Sequence, residues 1–96
     1  MFIIYVNKES AYERNDELRM FKSLMPLKLI ALPKKKELRQ ITLQRIAECF
    51  TASREYTEQE VNEILMGVYE DYVYLRRELV EHQCLKRTAD GRRYWK

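Results

Sequence analysis

The 96-residue sequence has two cysteines, one histidine, two glycines, two prolines and no long apolar run. Cys49 and Cys84 are spaced for neither a zinc site nor a dense disulfide frame, so a reducing compartment is expected. The longest apolar runs, such as Phe2 to Val6, fall far below the roughly 20 residues that span a bilayer. With no signal-peptide pattern before them, the expected location is cytoplasmic, with no membrane partner. The lone His82 lies near a helix end, and no nucleophile-elbow, phosphate-loop or metal-ligand spacing occurs. No enzyme, catalytic residue, metal or cofactor is therefore expected. A chain this short buries about 60% of its unfolded surface, which leaves one modest core.

What is present is a foldable composition. Apolar residues make up 46%, with seven Tyr, three Phe and one Trp, and the net charge is +3. That charge is striped. Lys28 to Arg45 holds six basic residues and one acid, Glu48 to Asp71 seven acids and one base, and Cys84 to Lys96 five basic residues and one acid. Clustered cations mark a polyanion-binding surface, whereas the acidic stretch repels phosphate.

Residues 1 to 7 read as a short strand or arm. Asn15 or Asp16 is placed to cap a short helix carrying Leu18, Phe21 and Leu24 or Met25, which Pro26 stops. Leu27 to Leu32 reads as extended, and Pro33 as lying near the first turn of the next helix, from about Lys34 to Cys49 or Phe50. Leu38, Leu43, Ile46, Ala47, Cys49 and Phe50 share half of its circumference. Ile41 falls on the polar side, where the Asp16 to Leu24 helix is the available cover. Arg54 to Tyr56 reads as one short strand. Thr57 and Glu60 form a capping box that starts a second helix at Glu58, with Val61, Ile64, Leu65 and Val68 inward and Gly67 at its end.

Asp71 is placed to cap a third helix, from Tyr72 to about His82, with Tyr72, Leu75, Leu79 and Val80 inward. Tyr74, Arg77, Glu78 and Glu81 are expected outward, and Arg76 at the margin. Cys84 to Arg87 and Arg92 to Trp95, joined through Asp90-Gly91, read as a hairpin. The order is that of a winged helix-turn-helix: an α+β chain, mostly α, with three core helices and a C-terminal β-hairpin. Residues 1 to 26 form an N-terminal extension of strand and short helix, and 27 to 96 the winged-helix domain.

Residues 21 to 96 also resemble a known family in sequence. The residues concerned are Leu32-Pro33-Lys34-Lys35-Lys36, Ile46-Ala47, Phe50, Tyr56-Thr57-Glu58 and Glu60-Val61-Asn62-Glu63-Ile64-Leu65. They continue through Asp71-Tyr72, Leu75-Arg76-Arg77-Glu78-Leu79-Val80, Leu85, Arg87, Asp90-Gly91 and Tyr94-Trp95. The chain resembles a bacterial family of small winged-helix-like domains of unknown function, found alone or joined behind helix-turn-helix transcriptional regulators. The resemblance implies a bacterial or phage regulator. Gln83 departs from the family's usual Gly, and Thr51-Ala52-Ser53 from its Pro-Gly loop. A left-handed Gln costs roughly 1 kcal/mol relative to Gly.

The expected partner is double-stranded DNA. Tyr74, Arg76 and Arg77 would meet the major groove, where an Arg fork matches the guanine O6/N7 edge. Arg87, Arg92 and Arg93 of the hairpin, with Lys34, Lys35 and Lys36, would hold phosphates. Bland readings stand beside these. Arg76 fits an ion pair with an acid of the second helix, and cations at a helix start oppose its dipole yet are ordinary surface. Glu78 and Glu81 weaken base reading by the third helix. The alternative function is a protein-interaction module with the acidic helix 58–66 or the N-terminal strand as its contact; a homodimer through residues 2 to 6 is a third. Cys49 and Cys84 read as core residues, and Tyr94 and Trp95 as closing the core.

Overall fold

Phe21, Leu27 and Leu29 are buried while Lys22 is exposed, and these residues form two short strands. The computed structural model describes residues 20–96; the strand or arm expected over 1 to 7 and the start of the helix expected from Asn15 or Asp16 lie outside them. Where the second half of that helix was expected, β1 (Phe21–Leu24) pairs antiparallel with β2 (Leu27–Leu29). Spacing by three suits a helix, but a segment this short gains little from helical bonds alone. The alternating Leu27-Lys28-Leu29 instead offers a partner edge, and Pro26, with no N–H to give, sits in the turn. There the Ser23 hydroxyl donates to the Pro26 carbonyl at 2.7 Å. The Leu29 N–H donates to the Val68 carbonyl at 2.8 Å, tying this hairpin to the turn after the second helix.

Helix α1 (Lys36–Ala47) starts two residues later than expected and buries Thr42, Leu43, Ile46 and Ala47. Its last turn explains a second correction. The N–H groups of Glu48, Cys49 and Phe50 bond back three residues, to Arg45, Ile46 and Ala47. This tightening rotates Cys49 out of the apolar stripe, so it is exposed and not a core residue, while Phe50 is buried. Phe50 packs edge-on against Tyr56, with ring centroids 5.2 Å apart. Cys84 is half-buried, receiving a 3.7 Å contact from the Gln40 amide. Ile41 is likewise half-buried, and the segment expected to cover it is not helical over Phe21–Leu24.

Strand β3 (Tyr56–Thr57) leads directly into α2 (Glu58–Met66), whose capping box forms as read: Thr57 accepts from the Glu60 N–H, and Glu60 from the Thr57 N–H. Helix α3 (Tyr72–Glu81) is capped by Asp71, which accepts from the Tyr74 N–H at 3.3 Å. Leu75 and Leu79 of α3 are fully buried with Val61 and Leu65 of α2. The chain leaves α3 through Gln83 at φ 63°. Strands β4 (Lys86–Arg87) and β5 (Arg93–Trp95) then form the expected hairpin, with Gly91 at φ 72° in its turn. Here β5 is central: Arg87 and Tyr56 flank Tyr94 on its two sides, giving the order β3-β5-β4.

The described residues form a small α+β domain of three helices and two small antiparallel sheets. The helices take up less than half of the described residues, so "mostly α" is only loosely met. Among those residues no helix is long and apolar enough to cross a membrane.

Candidate nucleic-acid interface

Around α3, the buried Leu75–Leu79 stripe separates two flanks. One carries Tyr74, Glu78 and His82 and faces α1. Arg39 of α1 donates to Glu78 Oε1 from Nε at 3.0 Å and Nη2 at 2.7 Å, to the Tyr74 hydroxyl, and to the Pro33 carbonyl at 2.9 Å. Burial works against its charge, but the hydrogen bonds to Tyr74 and Glu78 outweigh that and hold the guanidinium above its ordinary pKa. His82 Nδ1 lies 3.2 Å from Gln40 Oε1 and Nε2 3.4 Å from Glu78 Oε1. Tyr74 and Glu78, expected outward, are thus half-buried and engaged between helices. The physical reason is a cation supplied from 35 and 39 residues away.

The other flank carries Arg76 and Val80. Arg76 Nη1 donates to Asn62 Oδ1 of α2, and Nη2 lies 3.7 Å from Glu58 Oε2. Arg76 thus makes the interhelical contact with the second helix that its sequence position also allows. Between this flank and the hairpin opens a cleft of about 470 Å³, to which Arg76, Arg77 and Val80 contribute from α3, Glu58 from α2, and Arg87 and Tyr94 from the hairpin. Glu81 also lines it.

Two of these cations are open to a partner. Arg77 is exposed and has no hydrogen-bond or ion-pair partner among the described residues. Arg87, also exposed, donates only to the Thr88 carbonyl of its own turn, at 3.4 Å. Arg92 and Arg93 lie beyond the cleft. Arg93 donates to Glu55 Oε1 at 2.8 Å, and Arg92 Nε stands 3.9 Å from Asp90 Oδ2. The turn that presents them is fixed by Asp90, whose carboxyl accepts from the Thr88 hydroxyl and the Arg92 N–H and is held below its usual pKa by them.

Lys34, Lys35 and Lys36 are all exposed at the start of α1. Because Arg39 bonds both the Pro33 carbonyl and the Tyr74 hydroxyl, this lysine turn sits beside the N-terminal half of α3. The lysines and the hairpin arginines therefore approach α3 from opposite flanks. Arg39 itself was not singled out from the sequence. Its signal was there: Arg39, Leu43 and Ile46 recur at i, i+4 and i+7, which puts a charge on the buried face.

Residues 28–96 match the model of a family described as "Uncharacterized protein conserved in bacteria (DUF2087)". The chain belongs to that family. The match begins in β2 and takes in all three helices, the three-stranded sheet and every residue of the cleft, so the site lies wholly within the DUF2087 region. No curated protein and no solved structure matches the chain.

Proposed function

We propose that this DUF2087 domain is a winged helix that binds double-stranded DNA and serves as a small bacterial transcriptional regulator, with no catalytic step of its own. The order α1, β3, α2, α3, β4, β5 and the strand order β3-β5-β4 support the winged-helix reading. In it α3 turns toward the major groove and the β4–β5 hairpin is the wing. The observation that carries the proposal is that Arg77 and Arg87, from helix and hairpin, line one cleft with no acidic partner on either. Arg87 so placed suits a phosphate and Arg77 the major groove beside it, and Lys34 to Lys36 extend the phosphate contact on the other flank. Arg76, braced by Asn62 and Glu58, holds the two helices in register rather than reaching a base. Fluorescence anisotropy with mixed-sequence duplexes tests the proposal: binding at low salt that weakens as salt rises supports it, and no binding, or no salt dependence, overturns it.

A second reading has its own observation. Glu58 and Glu81 line the same cleft, and Glu58 and Glu63 are exposed along α2. This favours a protein-interaction module that takes a basic partner on the acidic helix. A partner whose capture survives nuclease and is lost on charge reversal at Glu58, Glu63 and Glu70 would decide for it.

A further inference from the structure

Three polar side chains of α3 are already engaged. Arg39 holds Tyr74 and Glu78, and Asn62 with Glu58 holds Arg76. What stays open is one straight ridge, Val73, Arg77 and Glu81, each four residues from the next. Val73 is 41% exposed. Arg77 and Glu81 are exposed and, although opposite charges at i, i+4 commonly meet, they make no ion pair with each other or with any described residue. Residues four apart on a helix are about 6 Å apart along its axis, so the ridge is about 12 Å long.

Resting on the DNA-binding reading above, we infer that this ridge is the base-reading element and that its target is a G·C-containing major-groove edge. The Arg77 fork donates to guanine O6 and N7. Glu81 accepts from the amino group of a cytosine farther along the helix, and the Val73 methyls lie where a thymine methyl would pack. Glu81, which as a phosphate neighbour would only repel, gains a role when it points at a base edge. Because adenine N6 also offers a donor to a carboxylate, the preference for G·C rests on the Arg77 fork.

The test is competition against a labelled mixed-sequence duplex at fixed low salt, with alternating poly(dG-dC) and poly(dA-dT) as competitors. The intact protein is expected to prefer the G·C polymer by about ten-fold or more, the discrimination a bidentate contact gives. Arg77→Ala should abolish the preference while salt-sensitive binding through Arg87 and the lysine turn persists in weaker form. Because Arg77 makes no hydrogen bond or ion pair among the described residues, an unchanged melting curve is expected for this variant. Arg87→Ala, which removes a hairpin charge off the ridge, should weaken binding to both polymers alike and keep the preference. Equal competition by the two polymers, or a G·C preference that survives Arg77→Ala, overturns the inference and leaves DNA binding standing. Absence of any duplex binding by the intact protein overturns both.

Discussion

Arg39 Nη2 lies 2.7 Å from Glu78 Oε1, joining α1 to α3 through a pair of which only 18% and 19% of the side chains are exposed. An acid that would repel phosphate at the surface of α3 is thereby turned into an interhelical contact. Hydrogen bonds to charged groups contribute about 1.5–3 kcal/mol, and stranding one partner adds its desolvation cost. Arg39→Met should lower stability by about 2–3 kcal/mol, and Glu78→Gln, whose amide oxygen still accepts, by less. Urea unfolding measures both. A loss below about 0.5 kcal/mol for Arg39→Met would show that the pair does not hold the helices.

Acid should unfold the domain partly through Glu60. Its carboxylate accepts from the Thr57 N–H at 2.9 Å and from Arg54 at 3.1 Å. The backbone N–H first, and Arg54 with it, hold the carboxyl below its ordinary 4.5. A folded pKa below the unfolded one contributes stability that is complete above about 4.5 and lost as pH falls through the folded value. The urea midpoint should therefore decline below about pH 4.5, and Glu60→Gln should make that decline shallower. The same slope in the variant would contradict this assignment.

Gln83 stands at φ 63°, a conformation that disfavours side chains other than those of Gly and Asn. Gln83→Gly should raise stability by up to about 1 kcal/mol, or several degrees in Tm for a domain of this size. Gly91→Ala should do the opposite, since its φ is 72° and a Cβ there would lie 3.2 Å from Arg87 Nη1. Thermal melts of the two variants moving the same way would contradict the account of these turns.

How much was legible follows from where each signal lies. The starts of α2 and α3 are written within four residues, as Thr57 with Glu60 and as Asp71 below Tyr74, and Asp90-Gly91 marks the hairpin turn. These local devices were read correctly. The β1–β2 hairpin was missed because Phe21 and Leu24 fit a helical spacing as well as a strand, and pairing with Leu27–Leu29 decided it. Tyr74 and Glu78 were placed outward because nothing within α3 shows Arg39, and Cys49 inward because the tightened end of α1 is not visible in residue types. In the candidate site, Arg77 and Arg87 were named from the sequence, but not that they share a cleft with Glu58 and Glu81.

The account turns on Arg77 and Arg87 meeting a polyanion together. The most direct measurement is the slope of log affinity against log salt for a mixed-sequence duplex, in the intact protein and in Arg77→Ala/Arg87→Ala. Each phosphate contact contributes about 0.9 to that slope. The double variant should lose roughly 1 unit of slope, from the Arg87 phosphate contact, while keeping the fold. A slope identical in the two proteins, or no duplex binding at low salt by either, would contradict the claim.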